Sequence, residues 1–286
     1  MKRTWPPILA ALLAVVLLAG CATPPAAEVT ATVSPAPTTT PTTAPTTAST
    51  TAPAATESTA PFAITITPVI TTEQTTVTVR TVDELIAAIA PDTEIILDAP
   101  QFDLPTATGY GEDRGEYYRW DDPFDGPELV IVGVSNLTIR GSGDDRTAHE
   151  IRALPRYAHI FNFENCSNIH LSGFTAGHYK EAPGSCMGGV TRFQNCQNIL
   201  IENCGLYGCG TWGVSGLKSK DMQIVSNDIY ECSVCGVYLD TCQNVSIDGN
   251  TFRDLGDPEH PDWGADDLRL YSCSNVTRDG IESPSN

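Results

Sequence analysis

Carboxylate and guanidinium side chains in the last third of the chain are the groups best suited to chemistry. Two adjacent carboxylates, Asp266 and Asp267, follow a Gly-Ala pair at the start of a predicted strand, and Asp240 lies in an earlier strand. Paired carboxylates can act as acid and base across a glycosidic bond. Arg192 or Arg269 could instead remove a proton beside the carboxylate of an acidic sugar, as a lyase requires. The candidate catalytic residues are therefore Asp240, Asp266, Asp267, Arg192 and Arg269.

Net charge limits the partners of this chemistry. The chain has 16 Lys and Arg against 35 Asp and Glu, a formal net charge of -19, which argues against binding to nucleic acid. An acidic surface favours a neutral glycan, or an anionic one held through Ca²⁺. Glu164 and Asp240 are the candidate ligands for calcium, because this ion prefers carboxylate oxygens.

Aromatic and polar residues in predicted loops and on one strand face could hold a sugar chain. Rings stack on the C–H faces of sugars while neighbouring polar groups bond the hydroxyls. The alternative is that rings in loops only fix those loops to the fold. The candidate substrate-binding residues are Trp263, Tyr238, Tyr271, His178, Lys180 and His260.

A repeat positions these residues. An Asn or Asp followed by an apolar residue recurs at successive spacings of 32, 30, 23, 23 and 31. The shortest spacing, 23 residues, is the basic unit. A repeat of this length predicts a solenoid, and the longer spacings contain insertions. The aligned positions are Asn136, Asn168, Asn198, Asp221, Asn244 and Asn275.

Alternation within the unit, as in Val245 and Ile247 against Ser246 and Asp248, predicts short strands. Segments such as "RFQNCQNILIENC" and "YLDTCQNVSIDGN" resemble the repeat of right-handed parallel β-helix proteins, the superfamily of pectate lyases. The resemblance covers residues 94 to 279 and implies an all-β solenoid of about six rungs. Many members of that superfamily bind or cleave polysaccharides. The Gly-Ala-Asp-Asp segment is also similar to the G-x-D-D element of polygalacturonases, although their other catalytic elements are missing here.

Residues two before the recurring Asn are small, and predict an internal ladder of buried thiols. A disulfide in an exported protein is the alternative. These positions are Cys166, Cys196, Ser219, Cys242 and Cys273.

The strand before each recurring Asn should present alternate residues on one exposed sheet. Longer segments at 105–127, 141–158, 176–188 and 256–266 are expected to emerge at one corner beside it and form a binding surface.

Both ends of the solenoid carry further expectations. Thr81 with Glu84 fits a capping box, so residues 82 to 89 should form a short helix that covers the N-terminal end of the core. The C-terminal end has no obvious cap, which leaves room for a protein partner there.

The N-terminal segment reads as an export signal. Lys2 and Arg3 precede an apolar run too short to span a bilayer as a helix. The run ends in Leu-Ala-Gly-Cys21, which resembles the lipobox of bacterial lipoproteins and makes Cys21 the lipidation site. We therefore expect three regions: a signal peptide at 1–20, a disordered Thr/Ala/Pro-rich tether at 21–76, and the β-helix at 77–286.

Together these features predict an exported protein, lipid-anchored on the extracytoplasmic face of a bacterial membrane, that binds or processes carbohydrate. Two alternatives remain at this point: an adhesion or scaffold module that contacts another protein, and a polysaccharide lyase or glycoside hydrolase.

Overall fold

A computed structural model describes residues 72–180, 187–208, 210–279 and the backbone of 281–282. The predicted lipidation site at Cys21, the signal peptide and most of the tether lie outside the described residues. In the part that is described, no helix is both long and apolar enough to cross a membrane.

The described chain is almost entirely β-structure. It contains one α-helix, α1 (Val82–Ala87), and short 3₁₀ turns at Leu104–Thr106, Arg146–Ala148 and Pro261–Trp263. The strands are β1 (Thr75–Val79), β2 (Thr93–Leu97), β3 (Gln101–Asp103), β4 (Tyr118–Asp121), β5 (Glu128–Val132), β6 (Ser135–Gly141), β7 (Glu150–Ala153), β8 (Phe161–Glu164), β9 (Ser167–Ser172), β10 (Thr175–His178), β11 (Thr191–Gln194), β12 (Gln197–Glu202), β13 (Gly205–Tyr207), β14 (Trp212–Leu217), β15 (Lys220–Val225), β16 (Asp228–Tyr230), β17 (Cys235–Asp240), β18 (Gln243–Asp248), β19 (Thr251–Arg253), β20 (Asp266–Tyr271), β21 (Ser274–Arg278) and β22 (Ile281–Glu282).

These strands form three sheets that wrap one core. Sheet A has the order β1-β2-β6-β9-β12-β15-β18-β21-β22, sheet B β19-β16-β13-β10-β7-β3, and sheet C β20-β17-β14-β11-β8-β5-β4. The chain passes from sheet C to A to B and then returns to C one rung further on. Successive rungs pair in parallel, and only the end pairs β4–β5 and β21–β22 are antiparallel. The predicted parallel β-helix is confirmed, with five complete rungs from β5 to β19 and partial rungs on either side.

The recurring Asn and Asp residues occupy the second position of each sheet A strand from β6 onward. Each has a left-handed backbone, with φ between 52° and 60°, a conformation that Asn and Asp tolerate better than most residues. Their side chains bond along the solenoid axis: Asn198 Nδ2 donates to Asn168 Oδ1 at 2.7 Å, and Asn275 Nδ2 to Asn244 Oδ1 at 3.0 Å. These hydrogen bonds form a ladder of Asn and Asp side chains along sheet A.

The small residues before these positions form the predicted internal ladder. Sγ of Cys196 accepts the backbone N–H of Cys166 at 3.4 Å, and Ser219 Oγ accepts that of Cys196 at 3.0 Å. Cys166, Cys196 and Cys242 are buried, and all are free thiols. The predicted packing role of these cysteines is confirmed, and the disulfide alternative is wrong for them.

Helix α1 closes the N-terminal end of the core. The Thr81 side chain accepts the Glu84 backbone N–H at 3.2 Å, and the Glu84 carboxylate accepts the Thr81 N–H at 3.2 Å, which completes the predicted capping box. Leu85 and Ile86 are buried in the same hydrophobic cluster as the strands.

The structure differs from the sequence prediction at one domain boundary and in two of the predicted insertions. The fold begins before residue 77, because Thr75 pairs with Thr93 at the start of β1. Two segments predicted as insertions contain sheet B strands: 141–158 includes β7, and 176–188 begins within β10. Strands of three or four residues show too little alternation to be recognised in the sequence.

Candidate functional site

The outer face of sheet C gathers six of the predicted site residues into two rows that run along the solenoid axis. Strand register places one residue of each rung in each row. The first row is Asn162, Arg192, Ser215, Tyr238 and Arg269, and the second is Glu164, Gln194, Leu217, Asp240 and Tyr271.

Not every member of these rows reaches solvent. Asn162 and Ser215 are only 3% and 1% exposed. The Glu128 carboxylate covers Asn162 through a hydrogen bond to Nδ2 at 2.9 Å. The short Ser215 side chain lies in register between Arg192 and Tyr238, which are much larger.

Three aromatic rings from consecutive rungs lie on this face. Trp212 stacks on Tyr238 with ring centroids 4.7 Å apart, and Tyr238 meets Tyr271 at 5.6 Å. We call these three rings, Trp212, Tyr238 and Tyr271, the aromatic row. Tyr271 ends the aromatic row and is 42% exposed. Burial and the nearby Asp240 carboxylate raise the pKa of Tyr238, so its hydroxyl stays protonated at neutral pH and can donate a hydrogen bond. The row combines apolar ring edges with hydroxyl groups, which suits a ligand that has both C–H and O–H surface.

Trp212 was not predicted from the sequence. It lies two residues before the alternating part of its strand, so the repeat did not mark it as an outward position. The sequence feature that could have indicated this position is Gly189, the small residue at the equivalent position of the previous rung. A Cβ built on Gly189 would lie 2.7 Å from Cδ1 of the indole, so glycine is needed there for the ring to fit.

The loop between β19 and β20 stands beside the aromatic row and contains two of the predicted binding residues. His260 stacks on Trp263 at 4.1 Å between ring centroids and bonds Asp257 Oδ2 through Nδ1 at 2.9 Å. Arg269 ties this loop to sheet C: its Nε donates to Asp266 at 2.8 Å, and its terminal nitrogen donates to the Trp263 carbonyl. One face of the Trp263 ring is therefore covered by His260, and the loop forms a fixed wall rather than an open platform.

The predicted catalytic carboxylates lie at different ends of their strands. Asp240 is in register with Tyr271, whereas Asp266 is in register with Cys235, five residues earlier on β17. At about 3.3 Å per residue and about 4.8 Å between strands, their Cα atoms are about 17 Å apart. Acid and base of glycoside hydrolases stand about 5 to 9.5 Å apart. Asp267 is engaged elsewhere, in an ion pair with Arg278 at 2.7 Å.

The two predicted catalytic arginines share a row but not a site. Three strand spacings separate Arg192 from Arg269, or about 14 Å between Cα atoms. Arg192 donates to Gln194 at 2.9 Å. The structure thus aligns the arginines along one face of sheet C without bringing them to a common point.

The pairing of Glu164 with Asp240 as calcium ligands is wrong. Both lie in the second row, but three strand spacings separate them, which is about 14 Å. A single calcium ion binds oxygens at about 2.3–2.6 Å, and Glu164 is already paired with Arg119 at 2.9 Å. Across the described residues there is no group of three or more His, Cys, Asp or Glu side chains placed to hold a metal ion.

His178 and Lys180 do not lie with the aromatic row. His178 is 1% exposed and its Nε2 bonds the Ala158 carbonyl at 2.8 Å, so its predicted contact with a ligand at the surface is wrong. Lys180 is exposed but pairs with Glu231 at 2.8 Å and lies over the Tyr207 ring, which places it beside sheet B.

Comparison with known proteins supports the fold. The family model described as right handed beta helix region matches residues 131–280. Two solved structures are similar, each with a TM-score of 0.33. One is a pectate lyase from Paenibacillus sp. 0602, at 10% identity over 61% of this chain and 60% of the lyase chain. The other is a candidate glycosyl hydrolase from Parabacteroides merdae, at 11% identity over 68% of this chain and 84% of that one. No curated protein matches the chain.

Proposed function

The chain belongs to the right-handed β-helix family, and from this premise we propose that it binds carbohydrate along the outer face of sheet C. The observation that carries the proposal is the row of Trp212, Tyr238 and Tyr271. Rings repeated once per rung suit a ligand that is itself a chain of similar units, because each unit can meet an equivalent surface. Arg192, Gln194 and Asp240 flank the rings and offer donors and acceptors for hydroxyl groups.

Binding fits this face better than cleavage. Asp240 and Asp266 are about 17 Å apart, beyond the range over which two carboxylates act on one glycosidic bond. Asp266 is instead paired with Arg269 and Asp267 with Arg278. Both ion pairs lie within the last rung, and Arg269 also holds the β19–β20 loop through the Trp263 carbonyl, so these groups position the chain.

Export and lipid attachment at Cys21 complete the proposal. The Thr/Ala/Pro-rich tether would hold the folded β-helix at the extracytoplasmic surface. The net charge of -19 favours a neutral glycan, or an acidic one through bound Ca²⁺. Calcium therefore stays a prediction for the complex, with ligands other than the Glu164 and Asp240 pair.

A glycan array tests the proposal. We would probe the full chain with and without calcium, as wild type and as Tyr271→Ala, with Phe124→Ala as the matched control. Phe124 is the control because it is 75% exposed and lies outside the row. We expect binding that weakens about tenfold or more in Tyr271→Ala and is unchanged in Phe124→Ala.

Each other outcome has a defined meaning. Absence of binding to any glycan, in either calcium condition, would contradict the proposal and favour a scaffold that contacts protein. Equal loss in both variants would place the site elsewhere. Release of shortened or unsaturated sugars from a bound glycan would show that the protein is an enzyme and overturn the non-catalytic assignment.

A further inference from the structure

Three buried polar atoms near the N-terminal ends of β8 and β14 have no hydrogen-bond partner among the described residues. They are His159 Nε2, Asn162 Oδ1 and Trp212 Nε1. His159 and Asn162 are 8% and 3% exposed. Buried polar atoms are nearly always paired in folded proteins, so three in one region indicate a missing partner.

Glu128 determines which atoms are left over. Its Oε1 accepts the His159 backbone N–H at 2.7 Å and lies 2.6 Å from Nδ1 of the same residue, while Oε2 accepts Asn162 Nδ2 at 2.9 Å. Nδ1 therefore carries a proton, which leaves Nε2 of the ring unused. The Asn162 amide gives its N–H to Glu128 and keeps its oxygen free. One carboxylate thus fixes both unpaired atoms.

Trp212 reaches toward this cluster from two rungs away. Two glycines lie between them: a Cβ on Gly188 would meet the Ala158 carbonyl oxygen at 2.0 Å, and one on Gly189 would lie 2.9 Å from Trp212 Nε1. Ala158 is the neighbour of His159 in the chain. The absence of side chains at these two glycines therefore lets the indole N–H approach the His159 segment.

The chemistry of the three atoms identifies the kind of partner. The Asn162 oxygen accepts, the Trp212 indole N–H donates, and His159 Nε2 accepts when the ring is neutral. A hydroxyl group both donates and accepts, and a sugar offers several at fixed spacing. We propose that Glu128, His159, Asn162 and Trp212 form a socket for the hydroxyl groups of one neutral sugar unit, such as the end of a glycan held on sheet C. This inference rests on the proposed glycan-binding function and deepens it.

Access to the socket involves one side chain. His159 and Asn162 are buried, whereas Trp212 is only partly buried and belongs to the aromatic row through its contact with Tyr238. The proposal therefore requires the indole to rotate from its position over Gly189 when a sugar bound along the row enters the socket. The same residue would then join the row to the socket.

Nitrogen NMR of the ¹⁵N-labelled full chain tests this inference. The chain has four tryptophans, so the indole N–H signal of Trp212 can be assigned from the spectrum of Trp212→Phe, which keeps an aromatic ring on Tyr238 but removes the donor. Tyr230→Phe is the control, because Tyr230 lies on sheet B, where it stacks on Tyr207. The probes are the methyl glycosides of glucose, galactose and mannose.

We expect at least one glycoside to shift the Trp212 indole and His159 Nε2 signals in a saturable way. Its Kd should be about tenfold weaker in Trp212→Phe, and also in Asn162→Leu if that variant folds, and within about twofold of wild type in Tyr230→Phe. Shifts confined to Trp263 or Tyr271 would overturn the socket while leaving glycan binding on sheet C intact. No shift with any glycoside would mean that ordered water completes the cluster, and would overturn the socket, with the glycan array deciding the proposed function separately.

Discussion

Burial of His178 predicts an acid-sensitive fold. The ring lies inside the corner after β10, where its Nε2 bonds the Ala158 carbonyl at 2.8 Å. Burial lowers the pKa of His178 to about 4, with His159 and Arg156 adding to the decrease and Asp125 opposing it. An unfolded chain would have this histidine near its ordinary pKa of about 6.5.

The sign and size of the effect follow from this difference. The unfolded state takes up the proton first as pH falls, so the contribution is fully present above about pH 6.5 and is lost on the way down to about pH 4. The difference between the unfolded and folded pKa values of His178 corresponds to about 3 kcal/mol. Between pH 7 and pH 4.5 we expect the free energy of unfolding to fall by about 2–3 kcal/mol from this residue alone.

Urea unfolding of wild type and His178→Gln at the two pH values isolates this contribution. Glutamine can still donate to the Ala158 carbonyl but does not titrate, so the variant should lose about 2–3 kcal/mol less than wild type over the same interval. His170→Gln is the control, because His170 lies on the surface of sheet A and bonds Glu202 at 2.9 Å. If wild type and His178→Gln lose equal stability between pH 7 and pH 4.5, the assignment of His178 as a buried neutral side chain is refuted.

Three further predictions concern the cysteines. Cys196→Ser should change the free energy of unfolding by less than about 1 kcal/mol, because Ser219 already shows a hydroxyl accepting and donating in the same ladder. Cys196→Ala should instead cost about 1–3 kcal/mol, because it leaves the backbone N–H of Cys166 unpaired. Equal costs of the two variants in urea unfolding would contradict this prediction. In the native protein Cys242, whose pKa burial raises to about 12, should resist alkylation while the half-buried Cys273 reacts first, and the reverse order by mass spectrometry would show the ladder register to be wrong. Cys21→Ser should release the protein from membranes, and retention in the membrane fraction would refute the lipid anchor.

The fold could be predicted because its signals are local and repeated. Asn168, Asn198 and Asn244 each need a left-handed backbone, and few residue types supply it. Cys196 and its equivalents must be small because they point into the interior between stacked rungs. Each of these requirements recurs in successive rungs, so the same residue types appear several times in the sequence at a regular spacing.

The candidate binding residues were harder to predict, because each of them occurs only once along the solenoid. His178 and Lys180 are two residues apart, yet one is buried in the corner and the other pairs with Glu231 on the surface. Trp212 has no counterpart in other rungs, and its role depends on Gly189, which lies in the previous one. Contacts such as that of Trp212 with Gly189 depend on packing between rungs. The alternation of residues within one strand does not predict them.

Insertion length explains why the predicted carboxylates do not meet. Asp266 follows Asp240 by 26 residues, close to the basic repeat of 23, and without an insertion this spacing would place the two carboxylates near each other on adjacent rungs. The interval from Asn244 to Asn275 is 31, however, and the β19–β20 loop takes up the additional residues before β20 begins. Tyr271 therefore falls opposite Asp240, and Asp266 falls five positions earlier, beside the loop and Arg269. The same insertion thus separates the two carboxylates and extends the aromatic row by one ring, which is the arrangement on which the proposed binding function rests.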